Sequence, residues 1–144
     1  PDPAQIDLYG RTVLLMHGDT LCTLDLEYQA FRREARSRTW IDSLLRQPLA
    51  ERKAAVEALR RRSEQEKRSK SAEIMDVAPA EVEAVLRRHG YPLLIHGHTH
   101  RPARHVHTVD GHRCERWVLA DWYQGGSYLA CDESGCRALQ LSPD

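Results

Sequence analysis

Two unbroken apolar runs constrain this chain most. Val13-Leu14-Leu15-Met16 and Leu93-Leu94-Ile95 are short, continuous and rich in branched side chains. Each runs straight into a histidine and a glycine: His17-Gly18-Asp19 in one case, His96-Gly97-His98-Thr99-His100 in the other. A short run with no polar alternation suits a strand covered on both faces. Strands of that kind belong to α/β sheets, which place functional groups where a strand ends. The pattern therefore predicts an α/β core in which two buried strands deliver histidines to the same kind of edge.

Around these strands the elements read in order. Residues 5–16 suggest two strands about Gly10-Arg11. From Asp25 the pattern turns helical with an irregular apolar face, and Pro48 interrupts it. A second helix runs from about Leu49 to Lys67, and a third starts at Pro79, a favoured first-turn residue. That third helix ends near His89, with Gly90 placed to cap it. The remainder reads as β: 103–109, a turn at Asp110-Gly111, then 113–122, 127–131 and 136–141. Asp110-Gly111 is a strong two-residue hairpin signal, and Glu133-Ser134-Gly135 a weaker one.

Charge divides the same way. The chain has 21 Lys+Arg and 21 Asp+Glu in 144 residues, a net charge of zero, which argues against a general nucleic-acid binder. Yet residues 32–70 carry 13 basic and 6 acidic side chains, against 8 and 15 elsewhere. The two helices of this basic stretch are poorly apolar and read as an excursion from the core. Arg60-Arg61-Arg62 and Lys67-Arg68-Ser69-Lys70 stud the second of them, and a solvated helix face is the alternative reading. Cys22, Cys114, Cys131 and Cys136 show no CxxC spacing, so four reduced thiols are expected. The chain opens on Pro1 instead of Met, and the expectation is a portion of a longer product.

HGHTH is the sharpest chemical signal. His98 and His100 flank one residue, so on a continued strand they point the same way. Imidazole suits Zn, Mn and Fe, and Gly97 permits close backbone approach. His17 occupies the equivalent place on the other strand, which suggests one shared site. Asp19 is either a ligand, a carboxylate orienting His17, or a turn residue. His105, His107 and His112 lie in the next hairpin, where Arg104, His105 and His107 alternate with Ala103, Val106 and Thr108, and a solvated strand face explains them; His89 suits a helix end.

Four strings in order carry a resemblance: His17-Gly18-Asp19-Thr20-Leu21-Cys22-Thr23; Tyr28-Gln29-Ala30-Phe31-Arg32; Ser69-Lys70-Ser71-Ala72-Glu73-Ile74-Met75-Asp76-Val77; and His96-Gly97-His98-Thr99-His100-Arg101-Pro102. Together they resemble the UDP-2,3-diacylglucosamine hydrolase family of the lipid A pathway, a branch of the calcineurin-like metallophosphoesterases. GHTH alone marks only the superfamily; MHGDTLCT with SKSxxIMDV is specific to the branch. The resemblance implies an α/β fold: a calcineurin-like αββα two-sheet sandwich, incomplete because its N-terminal strands are absent. Residues 1–24 and 78–144 would form that core, and residues 25–77 a helical insertion capping the site for a lipid substrate.

It also implies a reaction. UDP-2,3-diacylglucosamine would be split at its pyrophosphate into UMP and 2,3-diacylglucosamine 1-phosphate, by a hydroxide activated by two Mn²⁺ ions. His17 and His98 would ligate one metal and His100 the other. Asp25, Tyr28, Arg60, Ser63, Lys70 and His98 would contact substrate. Phe31, Trp40, Ile41, Leu44 and Leu45 offer an apolar groove for the acyl chains. The basic patch suits the anionic inner-membrane surface of a Gram-negative cell, with the protein cytoplasmic and peripheral, and the oligomeric state is left open.

The superfamily's early D-x-H, its bridging Asp and its Asn ligand have no counterpart here. The chain alone is therefore expected to hold Mn²⁺ weakly, not to turn over, and to expose a raw sheet edge near 13–16 or 92–95. The alternatives are another calcineurin-like phosphoesterase with a different phosphodiester substrate, or a non-catalytic lipid- or nucleotide-binding remnant.

Overall fold

The computed structural model describes residues 1–123 and 125–141, leaving aside the side chains of Lys67 and Arg68, so that part of the expected basic run lies outside the described residues. The chain is mixed α/β and divides into two compact units, Pro1–Leu21 with Val77–Asp144, and Cys22–Asp76.

The first unit holds the strands. β1 (Ala4–Leu8) and β2 (Arg11–Met16) form a hairpin, β3 is Leu93–His96, β4 Ala103–Val109 and β5 His112–Val118. They make one mixed sheet in the order β1-β2-β3-β5-β4, with β2, β3 and β5 mutually parallel and β1 and β4 antiparallel to their neighbours. A second, two-stranded sheet pairs β6 (Gly126–Asp132) with β7 (Gly135–Leu141). This architecture is consistent with part of a calcineurin-like sandwich.

Both apolar runs are covered on two faces, as their lack of alternation requires. One face of the sheet presents Leu14, Leu94 and Cys114 to the helix α4 (Pro79–Arg88), whose Val82, Val85 and Leu86 recur at helical spacing and are buried. The other face presents Val13, Leu15, Leu93 and Ile95, which pack with Leu129 and Cys136 of the second sheet. Burying a leucine fully, as at Leu14 and Leu94 (0% exposed), stabilises by about 1.5–3 kcal/mol each.

Three expectations are corrected here. The strands at 13–16 and 92–95 are not raw edges: β2 is flanked by β1 and β3, and β3 by β2 and β5. The edges fall on β1 and β4, because the Tyr9-Gly10 turn folds residues 4–8 back to cover β2. The helical stretch from Asp25 to Pro48 is two helices, α1 (Leu26–Ala35) and α2 (Arg38–Arg46). They part at Ser37, whose side chain accepts from the Trp40 N–H at 3.2 Å and starts a new helix. Cys131 and Cys136 form a disulfide, while Cys22 and Cys114 are buried and outside any disulfide. The two-residue turn between β6 and β7 sets these cysteines directly opposite each other, a pairing that sequence spacing alone does not reveal.

The Asp110-Gly111 turn forms as expected, with both residues at positive φ (50° and 83°). It is tied down: Arg87 at the end of α4 donates to both Asp110 oxygens at 2.6 and 2.9 Å, and the Tyr91 hydroxyl donates at 2.9 Å. These bonds, Arg87 foremost, hold the Asp110 carboxyl down at about 2, from an ordinary 3.8. Because the folded value is the lower one, the stabilisation is complete above the unfolded value and is lost as pH falls through about 2. Asp110→Asn, which tolerates the left-handed backbone, is expected to melt below the wild type at pH 6. The two melting curves should merge near pH 2. A gap independent of pH would refute the assignment.

The second unit is helical: α1, α2 and α3 (Leu49–Ser69). Neither α1 nor α2 buries any residue fully. Among the described residues, no helix is long and apolar enough to cross a membrane.

Candidate metal and phosphate site

Parallel pairing of β2 with β3 puts Met16 beside His96, so the two chains leave the sheet side by side. Gly97 N–H donates to the His17 carbonyl at 3.1 Å. Beyond this point the backbone turns left-handed three times, at Gly18 (φ 101°), His98 (φ 64°) and His100 (φ 53°). A side-chain-bearing residue in that region costs about 1–2 kcal/mol. Such strain at two histidines of one turn is the kind held at functional sites.

The turn brings His98 against His17: their rings lie 5.0 Å apart, edge on at 65°. His100 goes elsewhere. Its Nδ1 lies 3.3 Å from Asp121 Oδ2, and its ring meets Tyr123 edge on at 6.1 Å. The period-2 argument that pointed His98 and His100 the same way does not apply, because β3 ends at His96 and both histidines lie in the turn that follows. Among the described residues, no group of three or more His, Cys, Asp or Glu side chains is placed to hold a metal ion. The imidazole pair fits the nitrogen share of one cation's ligands, without closing a set. Asp19 is wholly buried, in the 3₁₀ turn Asp19–Leu21. The His17 N–H is held from outside by Asp2 Oδ1 at 3.0 Å.

Behind the turn lies a buried basic chain. His96 is 1% exposed and Arg116 6% exposed. Arg116 Nη1 lies 3.0 Å from His96 Nε2, Arg116 Nε donates to His107 Nε2 at 3.2 Å, and His96 Nδ1 lies 3.0 Å from the Gly97 carbonyl. Burial, then the neighbouring Arg116 charge, hold His107 below the usual imidazole value. His107 is therefore more than a member of a solvated face.

In the helical unit, three of the residues expected to contact substrate cluster. Asp25 Oδ1 accepts from the Tyr28 N–H at 3.1 Å, capping α1, and from Lys70 Nζ at 2.7 Å. Glu27 adds a second carboxylate 3.4 Å from the ammonium. Burial lowers the Lys70 value, but Asp25 and Glu27 together more than offset it and leave it raised. Arg60 and Ser63 stand exposed on α3. A cleft of about 350 Å³ opens between α2 and α3, lined by Trp40, Leu44, Ala55, Ala58 and Leu59, with Arg62 among its polar residues. Trp40 and Leu44 were expected in an apolar groove; Phe31, Ile41 and Leu45 do not line this cleft and are exposed.

Sequence reading missed Arg116 and Asp121. Each left a signal. In β5, Cys114, Arg116 and Val118 share one buried phase, so an arginine stands where the alternation calls for an apolar residue. Asp121 follows the end of β5, the kind of position that drew attention to His17 and His98.

A parallel strand pair that ends in paired imidazoles, on a mixed α/β scaffold with a separate helical unit, defines the general class: an α/β protein with two histidines set together at its strand ends. The comparisons narrow it. The chain is homologous to the UDP-2,3-diacylglucosamine hydrolases. It is 56% identical over 135 residues to that of Aromatoleum aromaticum, covering 94% of this chain and 55% of the relative. It is 55% identical over 140 residues to that of Aeromonas salmonicida, covering 96% and 55%. It is 49% identical over 149 aligned positions to that of Xanthomonas axonopodis pv. citri, covering 99% and 60%. The chain thus spans a little over half the length of these curated relatives. No family model matches it.

Proposed function

We propose that the protein acts in hydrolysis of UDP-2,3-diacylglucosamine, with water adding to the α-phosphorus, UMP formed and 2,3-diacylglucosamine 1-phosphate leaving. The observation that carries this reading is the identity of 49–56% to proteins named for that reaction, sustained over nearly the whole chain. The site chemistry agrees with it. His17 and His98 would hold a divalent cation, of which Mn²⁺ is the proposed species. The remaining ligands would come from the share of the relatives' length that this chain does not match. A bound cation supplies Lewis-acid activation of water and of the phosphoryl oxygens. Asp121 orients His100 through Nδ1, leaving Nε2 for the site.

The helical unit supplies the substrate groups in this proposal. The cleft at Trp40 and Leu44 offers apolar walls to an acyl chain. Asp25, Tyr28 and Lys70 offer a polar cluster for the sugar, and Arg60 and Ser63 a cation and a hydroxyl for phosphate. The basic excess of residues 32–70 suits attachment to an anionic membrane surface, at about 1 kcal/mol per side chain near it, and we place the protein at the cytoplasmic face of the inner membrane.

The test is a chimera. The chain replaces the matching segment of the Aromatoleum aromaticum relative, and UMP release from UDP-2,3-diacylglucosamine is followed with Mn²⁺ present. The chimera should turn over, its His98→Ala variant should not, and the 144-residue chain alone should release no UMP. A folded chimera without activity would overturn the substrate assignment. Turnover by the isolated chain would overturn the view that its metal site needs further ligands.

A further inference from the structure

We infer that Arg116 and His96 are a buried positioning pair for the His17 and His98 imidazoles, anchored on its outer side by His107. The inference goes beyond the proposed metal site and rests on it only for its consequence for Mn²⁺. Arginine has donors and no acceptor. Its contacts with these two rings therefore require His96 Nε2 and His107 Nε2 both to be acceptors, 3.0 and 3.2 Å away. Each ring then carries its proton on Nδ1. For His96, that proton points at the Gly97 carbonyl, 3.0 Å away. The guanidinium thus sets the tautomer of His96, and the tautomer fixes the peptide that leads directly into His98.

The same ring also touches the other turn. A β-carbon placed on Gly18 would stand 2.7 Å from His96 Nδ1 and 3.1 Å from its Cβ and Cγ. Gly18 follows His17 immediately, so one imidazole braces both segments that carry the paired histidines. The strand ends close the frame: Gly97 N–H reaches the His17 carbonyl at 3.1 Å, and Leu119 N–H reaches the His96 carbonyl at 2.8 Å. An apolar residue at 116 would fill the buried phase of β5 equally well but would not select the tautomer. Placing a guanidinium there, at 6% exposure, costs desolvation that an apolar residue avoids. Orienting His96 is a role that an apolar residue cannot fill.

The test uses the metal-free 144-residue chain with ¹⁵N-labelled histidine, and compares Arg116→Met with Arg116→Lys. Methionine keeps the apolar stem and loses every donor; lysine restores a donor. In the wild type, His96 should show a protonated Nδ1 and an unprotonated Nε2, and the His17 and His98 rings should give a direct proton–proton contact. In Arg116→Met, His96 should become a tautomer mixture and the ring contact should vanish, with the circular dichroism unchanged. Arg116→Lys should recover both in part, a rescue that simple cavity filling does not produce. Unchanged His96 tautomer and ring contact in a folded Arg116→Met would overturn the inference.

If Arg116→Met does not fold, His107→Leu decides. This variant removes only the outer acceptor on a half-buried edge, and the His96 signals should shift; their constancy would overturn the inference. A Mn²⁺ titration forms a separate arm. Arg116→Met should bind more weakly by up to about 10-fold, the low end of the loss when a group bonded to a ligand is removed, because Arg116 reaches the ligands only through His96. Failure of Mn²⁺ to broaden His17 and His98 in the wild type would count against the metal reading, while the metal-free arm still decides the positioning pair.

Discussion

Gly18→Ala should destabilise the protein by about 2–5 kcal/mol, at or beyond the upper end of what most point substitutions cost. Two separate causes act at this one position. The backbone at Gly18 has φ 101°, which a β-carbon opposes by about 1–2 kcal/mol. The added methyl would also meet His96 Nδ1 at 2.7 Å. That ring has nowhere to go: it is buried, bonded on one side to Arg116 and on the other to Gly97. Moving it breaks hydrogen bonds inside the protein and leaves buried polar atoms unmet, at about 1–3 kcal/mol. Gly10→Ala separates the two causes. Its φ of 74° is also positive, though nearer the ordinary left-handed region, and nothing lies within 4 Å of the added carbon. Urea unfolding of both variants should put Gly18→Ala well below Gly10→Ala. Equal losses would show that His96 does not brace the turn.

The contrast between these glycines indicates what was legible in the sequence. The two buried strands, α4 and the three tight turns were all readable, because they depend on local devices: an unbroken apolar run, a proline at a helix start, a glycine at a left-handed turn. The split of α1 from α2 was overlooked although Ser37 is a good cap, because the apolar spacing on either side was too irregular to show a change of phase. The Cys131–Cys136 bond depended on strand register, which residue spacing does not supply. At the site, the pairing of His17 with His98 followed from two equivalent strand ends. The departure of His100 towards Asp121 did not, because it depends on left-handed residues that are histidines, where sequence rules expect glycine. Arg116 was visible only as a charge in the wrong phase of β5, and its partners His96 and His107 lie on two other strands, β3 and β4.

Mn²⁺ affinity in the isolated chain should reveal how the three imidazoles are grouped. His17→Ala and His98→Ala should each weaken binding at least tenfold, since either leaves a single imidazole where two face each other at 5.0 Å. The double variant should lose scarcely more than either single one. Ligands of one ion act as a unit, so their losses are not additive. His100→Ala should follow a different rule. His100 is held by Asp121 at 3.3 Å, whereas His17 and His98 pair with each other, so its loss should be small in the isolated chain and should add to that of His98→Ala. The decisive quantity is the coupling energy between pairs of substitutions, read from the free Mn²⁺ signal by electron paramagnetic resonance. Strong coupling between His17 and His98 with none between His98 and His100 fits one ion held by the paired rings. The reverse pattern would mean that the turn rearranges on binding and that the metal-free pairing of His17 with His98 is not the one that holds the ion. Coupling also tells a common metal from independent weak sites: separate surface imidazoles would give additive losses for all three pairs, and the proposed cation site would then have no support from this chain.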